Sequence, residues 1–211
     1  MSTTIAAIVL AAGRSSRMGQ HKLLLPLGGR SLVSYAVEAA SASVADPVVV
    51  VLGYQAAEVA EVLPSGRYTT CFNADFASGM ASSLRLGVET LSSLGAGTGP
   101  IIGAAVLLAD QPLVSANMIN RVLLAAGAEP DAIIAAAYEG QRSTPVYFPA
   151  HLWSELLQIE GDEGGRSVIA RHPDLLRLEP FDDPAMALDV DRMEDYLQLK
   201  ANWDHGDGTR G

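Results

Sequence analysis

A glycine-rich loop near the amino terminus carries the residue types that bind a polyphosphate. Gly13 and Gly19 lack a Cβ atom, so the backbone can turn tightly and bring successive N–H groups close to an anion. Arg17 and Lys22 add two positive charges, arginine as a planar fork for two oxygens and lysine as a compact mobile charge. The loop therefore predicts a triphosphate site, with an ordinary strand-to-helix turn that carries surface cations as the alternative.

Two common nucleotide-binding motifs are absent from this loop. The P-loop requires Gly-Lys followed by Ser or Thr, and the dinucleotide fingerprint requires G-x-G-x-x-G. Residues 10–22 read LAAGRSSRMGQHK and contain neither pattern. The loop therefore indicates a different class of nucleotide-binding protein.

A second group of residues with chemical potential consists of carboxylates. Asp110 follows a long apolar run and precedes Gln111 and Pro112, which end the predicted strand. Mg²⁺ takes oxygen ligands and usually needs only one or two carboxylates besides phosphate oxygens. Asp110 is therefore predicted to bind Mg²⁺, with a helix N-cap or turn role as the alternative. For Asp189 and Asp191, the alternative is that one of them caps the final helix.

The apolar pattern predicts strands and helices that alternate along the chain. Predicted strands cover Thr4–Ala11, Pro47–Gly53, Tyr68–Phe72, Ile102–Ala109, Ala132–Ala137 and Pro145–Phe148. Predicted helices cover 32–42, Gln55–Leu63, Ala81–Leu94, Ala116–Ala126, His151–Leu157, Arg166–Arg171 and Met193–Leu199. This alternation predicts a doubly wound α/β fold, a mainly parallel sheet with helices on both faces and ligands at the carboxyl ends of the strands. We expect one domain over residues 1–200 and a disordered tail over 201–211.

Composition narrows the class of protein further. The net charge is −10 and no basic patch occurs, so we expect no nucleic-acid partner. A single cysteine, Cys71, excludes a disulfide framework and is predicted to be a buried, unreactive thiol. The apolar runs are too short for a membrane span and no signal peptide is evident, so we expect a cytoplasmic protein without a membrane partner. The four histidines lack metal-ligand spacing and are predicted to lie at the surface.

The loop motif L-A-A-G-x-S-x-R-M-G-x-x-K resembles the signature of the molybdopterin nucleotidyltransferases, and most of all that of the molybdenum cofactor cytidylyltransferases. Similar segments continue at Asn73–Gly87, Leu108–Val114, Gly161–Arg166 and Leu188–Tyr196. The resemblance implies a nucleotide-diphospho-sugar transferase-like, Rossmann-type fold. It also implies a Mg²⁺-dependent enzyme that transfers CMP from CTP to the phosphate of a pterin acceptor, the molybdenum cofactor, and releases pyrophosphate.

The resemblance also implies roles for individual residues. Lys22, Arg17 and Asp110 are the expected catalytic residues, and Asp110 and Asp191 the expected Mg²⁺ ligands, with Asp189 as the competing choice. The expected nucleotide-binding residues are Leu10, Ala11, Ala12, Gly13, Arg17, Lys22, Ser78 and Ser82, although both serines could simply cap a helix. Ala12 stands where guanylyltransferase relatives have glycine. In this family, alanine at this position goes with cytidine rather than guanosine. Asp162 and Arg166 are expected to bind the acceptor, with a solvated loop as the alternative.

Two segments depart from the family pattern. Residues 142–146 read Arg-Ser-Thr-Pro-Val where Gly-His-Pro-Val is common, so the histidine is missing from the region expected to face the acceptor. The final helix also lacks the usual Thr-Pro start. Other readings therefore stay open. They are transfer to another phosphorylated small molecule, a nicotinamide-dependent oxidoreductase resembling nicotine blue oxidoreductase, and a nucleotide-binding chaperone whose client is a molybdenum hydroxylase.

Overall fold

The computed structural model describes residues 3–15, 18–94 and 99–205. Nine strands occur in this part: β1 (Thr4–Ala11), β2 (Pro26–Leu27), β3 (Arg30–Ser31), β4 (Val48–Leu52), β5 (Thr69–Phe72), β6 (Ile101–Leu108), β7 (Ile133–Tyr138), β8 (Gln141–Pro149) and β9 (Leu176–Phe181). Seven of them form one sheet in the order β5-β4-β1-β6-β8-β7-β9, while β2 and β3 form a small hairpin. Only β8 runs antiparallel to its sheet neighbours, so the predicted mainly parallel sheet is confirmed.

Helices cover both faces of this sheet, as predicted. The helices of the described residues are α1 (Leu32–Ala42), α2 (Ala56–Glu61), α3 (Met80–Leu94), α4 (Ala116–Ala128), α5 (Trp153–Leu156), α6 (Arg166–Arg171) and α7 (Met193–His205). Ala7 and Val9 of β1 pack into a core with α1, α4 and α7, whereas Ala6 and Ile8 pack into a second core with α3, α5 and α6. A parallel strand buried on both faces needs apolar residues at every position, which explains the continuous run at the amino terminus.

The sheet extends further than the pattern predicted. Strand β9 lies at the edge, exposes half of its residues and contains Pro180, so it lacks the apolar run on which the prediction depended. Strand β8 begins at Gln141 instead of Pro145, because Glu139 and Gly140 adopt φ angles of 49° and 78° and form a tight turn from β7. The first four residues of β8 thereby reach the carboxyl-terminal edge of the neighbouring strands.

The final helix corrects the expected disorder of the tail. It continues to His205, so residues 201–205 are helical, while 206–211 lie outside the described residues. Trp203 packs edge-on against Tyr35, with ring centroids 4.9 Å apart, and the Tyr196 hydroxyl donates to the Pro26 carbonyl at 2.6 Å. These contacts hold α7 against α1 and against the β2–β3 hairpin that follows Lys22. Across the described residues, every helix is too short or too polar to cross a membrane.

Candidate active site

A crevice of about 730 Å³ opens at the carboxyl ends of β1 and β6, the edge at which an open α/β sheet binds its ligands. Its walls come from the loop after β1, the start of β8, the loop before α6 and the segment before α7. The predicted site residues that line it are Leu10, Ala12, Gly13, Lys22, Asp110, Asp162, Arg166 and Asp191, together with the competing Asp189. The fold therefore brings together residues that are up to 181 positions apart in the chain, from Leu10 to Asp191.

Lys22 is the centre of the charged part of this crevice. Its Nζ atom lies 2.5 Å from Asp110 Oδ2 and 3.0 Å from Asp191 Oδ1, and its side chain is 12% exposed. Burial opposes the charge of this lysine, but the two carboxylates outweigh it and raise the Lys22 pKa above 10.5. Lys22 therefore remains an ammonium ion at neutral pH and already fills the space where a cation meets both carboxylates.

The loop after β1 presents Lys22 through local hydrogen bonds. Ser15 adopts a left-handed conformation with a φ of 53°, its carbonyl accepts from Met18 N at 3.0 Å, and its hydroxyl accepts from Lys22 N at 3.1 Å. Lys22 then opens a short 3₁₀ turn, Lys22–Leu24. Arg17, the second cation expected on the triphosphate, lies outside the described residues.

His21, the neighbour of Lys22, corrects the expectation that all four histidines lie at the surface. It is 7% exposed, stacks on Tyr54 with ring centroids 5.2 Å apart, and Nε2 lies 3.2 Å from the Tyr54 carbonyl. Burial lowers the His21 pKa, because it disfavours the charged ring. The Nδ1 atom has no hydrogen-bond partner among the described residues. The sequence pattern could not predict the burial of His21, because the residue that covers it, Tyr54, lies 33 positions later in the chain.

The second acidic segment is held against Asp110 by its backbone. Val190 N donates to the Asp110 carbonyl at 3.1 Å, and the Asp195 carboxylate accepts from Asp191 N and Arg192 N at 3.1 and 2.8 Å. Asp195 thus supplies the acceptor for the backbone N–H groups at the start of α7, where the Thr-Pro of the family is missing. Asp189 accepts from Gln111 Nε2 at 2.6 Å. Burial, and then the charge of Asp110, raise the Asp189 pKa above 3.8.

The donor set suits a magnesium ion that keeps several waters. Among the described residues, no group of three or more His, Cys, Asp or Glu side chains is arranged to hold a metal. Asp110 and Asp191 both contact a single cation, the Lys22 ammonium, so their oxygens converge on one position. Two carboxylate oxygens plus phosphate oxygens and water match the usual coordination of Mg²⁺, which fits the implied metal.

Three predicted nucleotide-binding residues lie apart from the crevice lining. The methyl group of Ala11 packs in the core on the opposite face from Leu10. The Ser78 hydroxyl donates to the Asp75 carbonyl, and the buried Ser82 hydroxyl donates to Gly79 while it accepts from Asn73. These side chains are thus engaged within the protein.

The predicted acceptor loop packs on the amino terminus of α3. Asp162 Oδ1 accepts from Met80 N at 3.2 Å and the Gly161 carbonyl accepts from Ala81 N at 2.9 Å. A Cβ atom at Gly79 would lie 2.4 Å from the Gly161 oxygen, so glycine is required for this contact. Asp162 therefore caps a helix and lines the crevice at the same time, and Arg166 follows on the exposed side.

The sequence reasoning missed several residues that line the crevice. Arg14 lies with its guanidinium carbon 4.9 Å from the centre of the Phe76 ring. Arg142 and Thr144 belong to the segment expected to face the acceptor, but no role was assigned to either residue, and Gln111 is buried beside Asp110. Arg14 had a usable signal, since it is a cation between Gly13 and Arg17 in the loop predicted to bind phosphate.

The profile described as "MobA-like NTP transferase domain" matches residues 7–175, which include β1, the Lys22 loop and Asp110. The chain belongs to the MobA-like NTP transferase family. This membership confirms the resemblance at family level and makes the chain a nucleotidyltransferase by family.

Several known proteins are similar to this MobA-like chain over most of its length. The purine catabolism protein PucB of Bacillus subtilis (strain 168) is 31% identical over 175 residues, which are 80% of this chain and 82% of that protein. Nicotine blue oxidoreductase of Paenarthrobacter nicotinovorans is 32% identical over 204 residues, 92% of this chain and 96% of that protein. The crystal structure of Rv0371c from Mycobacterium tuberculosis H37Rv superposes with a TM-score of 0.79 at 28% identity, covering 95% of this chain and all of that one.

Proposed function

We propose that this MobA-like protein transfers CMP from CTP to the phosphate of a pterin acceptor, the molybdenum cofactor, and releases pyrophosphate. The observation that carries the proposal is the contact of Lys22 Nζ with both Asp110 and Asp191 beside the glycine loop. One ammonium and two converging carboxylates at the carboxyl ends of parallel strands suit a triphosphate and its divalent ion.

Ala12 is closely packed against Gly53 and Tyr54 at the end of the crevice where the nucleotide is proposed to bind. The Ala12 carbonyl accepts from Tyr54 N at 3.2 Å, and Gly53 packs so closely that an added Cβ would lie 2.6 Å from the Ala12 Cβ. Residue 12 therefore cannot move back to admit a larger base. This supports cytosine rather than guanine, in line with the family correlation for alanine at this position.

Lys22 is assigned to the phosphates of the nucleotide, with Arg17 as the expected second cation. When Mg²⁺ is bound, Asp110 and Asp191 would hold it, and it would neutralise charge on the phosphate oxygens. Lys22 cannot occupy the same position as a divalent cation, so it must turn from the carboxylates toward the phosphates when the ligands enter. An ammonium that strengthens its contact as negative charge develops lowers the barrier electrostatically.

The chemistry proposed here needs no protein base. A phosphate monoester with a second pKa near ~6 is largely dianionic at neutral pH, so one of its oxygens can attack the α-phosphorus of CTP directly. The new P–O bond forms as the bond to the bridging oxygen breaks, and pyrophosphate carries away the electron pair. This agrees with a crevice in which none of the described lining residues is a histidine.

A second candidate comes from the similarity to nicotine blue oxidoreductase, which extends over 92% of this chain. A nicotinamide-dependent reduction would use the same crevice without releasing pyrophosphate. A third possibility, a chaperone that carries nucleotide and cofactor to a molybdenum hydroxylase, would bind both without turnover.

The deciding experiment measures pyrophosphate release with each of the four NTPs, with and without molybdenum cofactor, in the presence of Mg²⁺. We expect release only with CTP and cofactor together, and the Ala12→Gly variant should admit GTP. NADPH oxidation without pyrophosphate would support the oxidoreductase instead. Tight binding of CTP and cofactor without either product would support the chaperone.

A further inference from the structure

Gln111 is a buried polar residue of the crevice to which the mechanism above assigns no role. Its side chain is 2% exposed and follows Asp110 directly in the chain. Both ends of its amide are engaged, since Nε2 donates to Asp189 Oδ1 at 2.6 Å and Oε1 accepts a short hydrogen bond from the Thr144 hydroxyl. Gln111 therefore connects the end of β6 with the start of β8 and with the segment before α7.

The chemistry of its two partners fixes the orientation of this amide. An ionised carboxylate only accepts hydrogen bonds, so the NH₂ group must face Asp189. The Thr144 hydroxyl can then donate to the amide oxygen. Removal of either partner would leave a buried polar group of Gln111 unsatisfied, which is costly in an enclosed site.

Asp189 and Asp191 thus have different partners although only Val190 separates them. Asp189 Oδ1 is used by Gln111, whereas Asp191 Oδ1 joins Asp110 on the Lys22 ammonium. The buried Val190 and its N–H bond to Asp110 fix the turn between the two carboxylates. The position at which a cation contacts two carboxylates is therefore formed by Asp110 and Asp191.

We propose that Gln111 and Asp189 form a positioning pair, in which Asp189 serves as a hydrogen-bond acceptor and not as a ligand of the divalent ion. The pair holds Asp191 at the cation position and ties Thr144, at the acceptor end of the crevice, to the same framework. This inference rests on the proposed function for the part that concerns catalysis, and on the hydrogen bonds alone for the part that concerns structure.

An exchange of the two side chains tests the pair. Gln111→Glu places a carboxylate against Asp189 and removes the donor, so we expect kcat to fall about tenfold or more, with the KM for CTP nearly unchanged. In the double variant Gln111→Glu/Asp189→Asn, the new amide donates to the new carboxylate, Thr144 still has an acceptor, and the charge equals that of the wild type. We therefore expect kcat and Tm to return to within about threefold and about 2 °C of the wild type.

A metal titration separates the roles of the two aspartates. Mn²⁺ affinity of the full chain, measured by EPR, should fall less than about twofold in Asp189→Asn and about tenfold or more in the matched Asp191→Asn. The inference is overturned if the double variant has no higher Tm than Gln111→Glu, or if Asp189→Asn loses Mn²⁺ as Asp191→Asn does. Should the wild type release no pyrophosphate, the proposed function fails, while recovery of Tm in the double variant still supports the pair.

Discussion

The two ends of the crevice differ in how their charges are balanced. At the nucleotide end, Lys22 already contacts Asp110 and Asp191 within the protein. At the end predicted to bind the acceptor, Arg142 and Arg166 are exposed, and neither side chain forms an ion pair within the described residues. Under the proposed function, Lys22 would exchange its contacts with the two carboxylates for contacts with the nucleotide, whereas Arg142 and Arg166 would meet the charge of the acceptor directly. The proposal thus assigns the reaction to one end of the crevice and the choice of acceptor to the other.

The largest expected effect comes from removing the lysine of the nucleotide end. Lys22→Met should lower kcat for pyrophosphate release by ~10² or more, the usual loss for one charge-stabilising donor. Lys200→Met, which removes a lysine paired with Asp204 on the exposed side of α7, serves as the matched control and should keep wild-type turnover. A kcat of Lys22→Met within a few-fold of the wild type would contradict the role given to Lys22.

The same variant should bind divalent ions more tightly in the absence of nucleotide. Because the Lys22 ammonium occupies the position between Asp110 and Asp191, its removal leaves two carboxylates without that cation. We expect the Mn²⁺ affinity of nucleotide-free Lys22→Met to rise about tenfold over the wild type, measured by EPR titration. An unchanged or weaker affinity would show that the lysine does not compete with the metal.

A smaller and more selective effect is expected at the acceptor end. Arg142→Gln should raise the KM for an anionic acceptor about tenfold and leave the KM for CTP unchanged, because the guanidinium lies on the β8 side of the crevice. Arg177→Gln removes the same charge from the exposed edge strand β9 and is the control. Equal changes in both KM values would show that the two ends are not separate.

The smallest effect concerns stability and the histidine behind Lys22. Because burial lowers the His21 pKa below 6.5, the unfolded chain takes up a proton more readily than the folded chain as the pH falls through that value. His21 therefore lowers the stability as the pH falls from 7.5 to 5.5. The His21→Phe variant keeps a ring against Tyr54 but has no group that titrates at this position. Its Tm should therefore fall less than that of the wild type over this interval, with a difference of roughly 2–4 °C for each kcal/mol of pH-dependent unfolding free energy that the substitution abolishes. Parallel Tm curves for the two proteins would contradict this assignment.

The sequence predicted the parts of the molecule that repeat a local pattern. Strand β1, the loop after it and Asp110 at the end of β6 were visible, because buried parallel strands are continuous apolar runs and their ends adjoin glycine or acidic residues. Strand β9 and the last turn of α7 were missed, because each is amphipathic or polar and is held by neighbours distant in the chain. Periodicity carries no information about such neighbours.

The partners within the site were beyond local reasoning as well. Lys22 meets Asp110 and Asp191 across separations of 88 and 169 residues, and Gln111 meets Asp189 across 78. The family resemblance could name Lys22, Asp110 and Asp191, but the sequence alone left the choice between Asp189 and Asp191 open. The hydrogen bond from Gln111 distinguishes the two carboxylates, because it gives each of them a different neighbour.

The packing of Trp203 limits how this protein can be shortened or fused. A Cβ atom at Gly28 would lie 2.4 Å from Trp203 Nε1, so the indole covers the turn only six residues after Lys22. A fragment trimmed at residue 200, where the globular part was expected to end, would uncover this turn beside the active centre. Affinity tags and fusion partners are therefore best joined beyond His205, with the indole left in place.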